Sequence, residues 1–201
     1  MARKHWSDRL NDLAPYRSDC PKVIAWARTQ PSLAVAWSKC ERADWMVEIA
    51  ARTIRLQGSV AHRALVLALC ACARRALPYV RSYDKTESAV CTTEEWARRK
   101  ASIEQVQGAY ETATESYLDA KSTYDYTYAA ADYTVVYATS AGAAVAFYAI
   151  SSNVTYATSV VCAVAFASDP SSHRRALSRM AVLIREHIPP PSLSTRLTQG
   201  S

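Results

Sequence analysis

With 201 residues, 50% of them hydrophobic, and only 4 glycines and 8 prolines, the chain is long enough for a core without staples and too poor in turn residues for an all-β fold. The same composition excludes disorder and a loop-rich disulfide scaffold. The net charge of +6 is unevenly spread: residues 1–100 hold 18 Lys and Arg against 10 Asp and Glu, residues 101–168 one Lys against six acids, and the last 33 five Arg against two acids.

The opening MARKHWSDRLNDLAPYRSDC has no apolar run after its basic residues. It does not read as a secretory signal, and a cytoplasmic location is expected. SDCPKVIAWARTQ then offers Ser18 or Asp19 as an N-cap with Pro21 in the first turn of a helix. A second helix restarts at Pro31 in PSLAVAWSKC. A third, ERADWMVEIAARTIRLQG, is expected to run to Gly58 as its C-cap, with Trp45, Ile49 and Arg52 on one face beside Met46 and Ala50. Acids interspersed among its basic residues suit a solvated surface better than the clustered Lys and Arg of a nucleic-acid binder.

Ser59 is placed to cap VAHRALVLALCACARRALPYV. From Ala64 to Ala73 this segment is apolar all round, which predicts a central, covered helix, and Pro78 ends or bends it. RSYDKTES reads as a connector. Thr92 or Thr93, followed by Glu95, reads as the next helix start, which places Trp96 in a first turn.

At about 100° per residue, Ile103, Val106, Ala109, Tyr110, Ala113, Tyr117, Ala120, Tyr124, Tyr128, Ala131 and Val135 fall on one side of a helix, between roughly 140° and 260° from Glu104. Glu111, Glu115, Asp119, Asp125 and Asp132 fall on the other. The period is helical despite a strand-like content of Tyr, Thr and Val. If the helix runs unbroken through Ser122, Tyr126, Tyr133 and Tyr137 lie among the acids. If it restarts at Ser122 or Thr123, for which STYD offers a cap, they pack against another helix.

Between Tyr133 and Ser168 there is no charge. Thr, Ser, Asn and Tyr dilute the run, and breaks at TSAG and SSNV favour a buried hairpin of about 133–150 and 154–168 over a membrane span. SDPSSHRRALSRMAVLIREHIPP closes the fold, with Ser168 or Asp169 as cap, Pro170 as start and Pro189 as stop. Leu177, Met180, Ala181 and Ile184 make one face, and Arg174, Arg175, Arg179 and Arg185 another. The whole predicts an all-α domain over 1–188, a compact multi-helix bundle or short helical-hairpin stack without β-sheet, and a mobile tail over 189–201.

No chemistry-bearing constellation is apparent. The six cysteines, Cys20, Cys40, Cys70, Cys72, Cys91 and Cys162, lack Cys-x-x-Cys spacing and read as reduced core residues. His5, His62, His173 and His187 form no helix-borne metal pattern, and the glycines form no phosphate loop. A Cys70–His62 pair reads more simply as structure than as a nucleophile and its base. Neither catalysis nor a cofactor is expected.

CERADWMVEIAAR, HRALVLALCACARRALPYV and ESAVCTTEEWARRKASIEQVQGAYETA, followed by a long Ala- and Tyr-rich helical region, together resemble the all-helical immunity proteins of bacterial polymorphic toxin systems. The likeness covers about residues 40–168. It implies a protein that binds and neutralises a cognate toxin without catalysis. The face expected to carry such a partner is Glu111, Glu115, Asp119, Tyr126, Tyr133 and Tyr137, since tyrosines offer contact area and acids steer a basic partner. The alternative is a helical nucleic-acid-binding or adaptor protein using Arg74, Arg75, Arg98, Arg99 and Lys100, with nucleic acid the less favoured partner.

Overall fold

The computed structural model describes residues 5–7, 20–54, 56–80, 83–127, 130–169 and 171–188, all helix and connecting turn. The expected caps Ser18 and Asp19, Pro170, Pro189 and the tail 189–201 lie outside these residues. Nine α-helices are described: α1 Cys20–Arg28, α2 Leu33–Lys39, α3 Ala43–Thr53, α4 Val60–Ala73, α5 Tyr83–Ala97, α6 Ile103–Thr127, α7 Ala130–Ser151, α8 Val154–Ser168 and α9 His173–His187, with a 3₁₀ turn at Leu77–Tyr79. Among the described residues there is no strand, and the all-α expectation holds.

Local signals set several of these ends. Ser32 caps α2 by accepting from the Val35 N–H, so the helix begins at Leu33, two residues past Pro31. Ser59 caps α4 through the His62 N–H, as expected. α3 stops at Thr53, short of Gly58. Gly58 instead takes φ 71° in the turn before Ser59, a left-handed conformation that glycine adopts without a Cβ clash.

The 83–102 region differs from its sequence reading. From Tyr83 onward RSYDKTES is helix rather than connector, the first turns of α5; Thr93 is buried inside that helix and donates to the Ala89 carbonyl at 2.7 Å. Trp96 therefore lies in a last turn. The true start comes at Ser102, where Ser102 Oγ accepts from the Gln105 N–H (3.3 Å) and Gln105 Oε1 accepts from the Ser102 N–H (2.8 Å). This reciprocal pair is a capping box.

α6, α7 and α8 form two successive antiparallel hairpins. Ring contacts fix the directions: Tyr110 meets Phe147 and Tyr124 meets Tyr133 across α6 and α7, while Phe147 meets Tyr156 and Tyr137 meets Phe166 across α7 and α8. TSAG does not interrupt α7, which is helical throughout. Its segment Tyr133–Ser151 is long and apolar enough to cross a membrane by length and composition, yet 61% of that window is buried within the bundle.

α4 lies at the centre, packed on α5, α7, α8 and α9. α3 is buried on nearly every side, including Glu48 and Arg52. Arg52 sits on that apolar helix because Glu48, one turn earlier, accepts its Nε–H at 2.7 Å. A buried charge is tolerable only with such a partner.

α9 begins at His173 with Ser172 at its N-cap position, past the expected Asp169, and its Leu177, Met180, Ala181 and Ile184 are buried as read. Arg185 does not join the exposed arginines. It is half-buried and donates to the Cys40 and Trp37 carbonyls at 2.8 and 3.3 Å. The cysteines with described side chains are all free thiols, and burial pushes Cys40 up to about 11 and Cys72 up to about 12.

Candidate partner-binding surface

α6 packs on α5 and α7 and leaves its remaining face to solvent. The stripe computed from sequence is the packed side: Val106 and Ala113 are fully buried, and Ile103, Ala109, Tyr110, Tyr117, Ala120 and Tyr124 are half-buried. The opposite face carries Glu111, Glu115, Asp119 and Asp125, all exposed. Restraint on these acids is light. Gln107 donates to Glu111 at 3.0 Å, Lys85 approaches Glu115 at 3.6 Å, and Lys121 pairs with Asp125 at 2.5 Å.

Two large apolar side chains stand in this acidic field. Tyr126 is 88% exposed and Leu118 55%. Leu118 is not among the residues expected on this face, yet its sequence position marks it. On the wheel that places the acids it falls at roughly 320°, inside their arc.

Of the six residues expected to form one face, Glu111, Glu115, Asp119 and Tyr126 share the outer surface of α6. Tyr133 and Tyr137 do not join them. α6 is continuous through Ser122 but ends at Thr127, and α7 returns antiparallel from Ala130. Helical phase is not carried across that reversal. Tyr133 and Tyr137 therefore enter the seam between α6, α7 and α8. Tyr133 packs on Tyr124 (5.5 Å between ring centroids) and Tyr137 on Phe166 (4.9 Å), and the Tyr133 hydroxyl donates to the Tyr137 hydroxyl at 2.9 Å. The adjacent Tyr133 hydroxyl, followed by burial, pushes Tyr137 up to about 12.

The alternative basic cluster is internally divided. Arg74 donates to Glu94 through Nε (2.8 Å) and a terminal nitrogen (3.0 Å), and Arg98 reaches the same carboxylate at 3.2 Å. Burial alone would raise the Glu94 carboxyl. The hydrogen bonds and charges of Arg74 and Arg98 outweigh it and hold that carboxyl below its ordinary value. Arg75, Arg99 and Lys100 are exposed.

The Cys70–His62 pairing is not formed. His62 is fully buried, its Nδ1 accepts from the Gly58 N–H at 3.0 Å, and its Nε2 lies 3.2 Å from Ser152 Oγ. Both ring nitrogens are used, and burial holds the Cys70 thiol well above its usual range. Among the described residues no three His, Cys, Asp or Glu side chains are grouped so as to hold a metal ion. Comparison with protein-family models, curated proteins and solved structures finds no match to the chain.

Proposed function

We propose that the chain is a non-catalytic immunity protein that neutralises a toxin in the cytoplasm by docking the outer face of α6 on it. The observation that carries this reading is the exposed row Glu111, Glu115 and Asp119, with Leu118 and Tyr126 set among the acids. Acids steer a basic partner toward the surface, and the two apolar side chains supply area to bury once contact is made. The resemblance of residues 40–168 to toxin-system immunity proteins adds the biological context. The nucleic-acid alternative has less support, because Glu94 engages two of its five cations.

The test is growth protection. A toxin-like protein encoded beside this chain is co-expressed with wild type, with Glu111→Lys/Glu115→Lys/Asp119→Lys, and with Leu118→Ser/Tyr126→Ala. Wild type is expected to restore growth, and both variants to lose protection while keeping helical content and Tm. Full protection by the charge-reversed variant sinks the assignment of this face. Steep, salt-sensitive binding of the wild-type chain to DNA or RNA would favour the alternative.

A further inference from the structure

A cleft of about 500 Å3 opens where α1, the α2–α3 link and the first turn of α9 meet. That volume suits a small-molecule ligand. Its apolar wall is Trp26, Trp45 and Leu177, the two indoles 5.5 Å apart between ring centroids and tilted by 48°. Its charged lining is Lys39, Arg42 and Arg174 against Glu41 alone. Asp44, just behind, is engaged by the Arg42 Nε–H at 2.8 Å, and the Arg42 guanidinium lies 4.7 Å from the Trp45 ring centre.

Three observations point to an occupant. First, Trp45 Nε1 and His173 Nδ1, both on side chains that line the cleft, are buried without a hydrogen-bond partner. A buried polar group left unpaired is costly, so two on side chains of one cleft mark a place where bonds remain to be made. Second, α3 and α9 both start at this cleft, from Arg42 and Ser172, and neither start is closed by a side-chain cap. Helix starts present N–H groups and the positive end of the dipole. Third, Arg174 is tied only loosely, 4.0 Å from a Glu41 that is itself 70% exposed. Such a pair holds its arginine weakly.

We propose that this cleft binds a small planar aromatic anion, with its ring against Trp26 and Trp45 and its charge toward Arg174 and the starts of α3 and α9. A bare anion would leave the indole wall unused. An uncharged ring would leave the cations and helix starts unused. The cleft shares no residue with the α6 face, and the inference does not depend on toxin binding.

The full-length chain, 15N-labelled, is titrated with AMP and with indole-3-acetate, two sources of the same ring-plus-anion chemistry. Adenosine provides the ring without the charge, and inorganic phosphate the charge without the ring. The Trp45 indole N–H resonance, identified by its loss in Trp45→Phe, is the readout. At least one ring anion is expected to shift it saturably, with its uncharged or ringless counterpart weaker by about 10-fold or more, and Arg174→Gln is expected to weaken binding by about 10-fold at unchanged Tm. No saturation by either ring anion at millimolar concentration overturns the proposal. So does binding that Arg174→Gln leaves intact, or adenosine binding as tightly as AMP. Arg174 is 87% exposed, so its variant keeps the test valid even if Trp45→Phe unfolds.

Discussion

Arg99 holds a backbone conformation better suited to glycine. It lies at φ 64°, with the Lys100 N–H on the Glu95 carbonyl (2.7 Å) and the Arg99 N–H on the Trp96 carbonyl (2.9 Å), a Schellman closure of α5. A side chain in that conformation costs about 1–2 kcal/mol. Part of what glycine recovers is lost to its freer unfolded chain, so Arg99→Gly is expected to stabilise by about 0.5–1 kcal/mol and raise Tm by about 1–4 °C. A lower Tm would mean that the arginine side chain contributes more than its backbone costs. His62 sets a second residue-scale expectation. Since Nδ1 accepts from Gly58, Nε2 carries the proton and faces Ser152. Burial pushes His62 down to about 4, whereas the unfolded chain takes up the proton near 6.5. The unfolded state then binds more protons as pH falls below about 6.5, so stability is full above that pH and declines toward pH 4. The unfolding free energy from urea titration should fall by about 1.5 kcal/mol between pH 6.5 and 5. His62→Gln should remove most of that slope, and His173, lowered by burial too, the remainder. An unchanged slope in His62→Gln would place the sensitivity elsewhere.

At the scale of elements, Gly142 shows how a sequence signal can mislead. Read as a break in TSAG, it is a point where α7 lies directly against α5. A Cβ there would stand 2.6 Å from Thr86 Cγ2 and 3.3 Å from the Thr86 carbonyl oxygen. Glycine is required for approach, not for a turn. Gly142→Ala is expected to destabilise by about 1–3 kcal/mol through overpacking. Thr86→Ala removes the clashing methyl together with a buried hydroxyl that has no partner, so the double variant should recover a large part of that loss. Additive single effects in a thermal-denaturation cycle would refute the contact. What was legible follows from where the signals lie. The all-round apolarity of Ala64–Ala73 and the Leu177/Met180/Ala181/Ile184 face declare burial directly, because one helix carries the whole pattern. The 83–102 boundary was not legible. Thr92 and Thr93 look like caps but lie inside α5, where Thr93 bonds back to the Ala89 carbonyl, and an arginine occupies the left-handed position that would have announced itself as glycine.

For the whole molecule, the same limit explains the candidate surface. Glu111, Glu115, Asp119 and Tyr126 stay together because their spacing lies within one helix, while Tyr133 and Tyr137 separate from them because a chain reversal resets the helical phase. No periodicity within a segment encodes the direction in which the next segment returns. The closure of the fold is longer-ranged still. The Trp37 indole donates to the Ile188 carbonyl at 2.8 Å across 151 residues, and Arg185 donates to Cys40 and Trp37. α9 also packs on α3, α4 and α8. The C-terminal helix therefore completes the same core that holds the tryptophans of the first third. If so, weakening α9 must weaken everything. Ile184, fully buried, tests this: Ile184→Ala is expected to cost about 2–5 kcal/mol and lower Tm by about 4–20 °C. Tryptophan fluorescence and far-ultraviolet circular dichroism should still report one coincident transition. Arg185→Ala, which removes charged hydrogen bonds to two carbonyls, should shift that transition by a smaller amount, about 1.5–3 kcal/mol. An Ile184→Ala protein whose tryptophan signal changes well before its helical signal would show that α9 caps the N-terminal helices locally and that the remaining bundle stands without it.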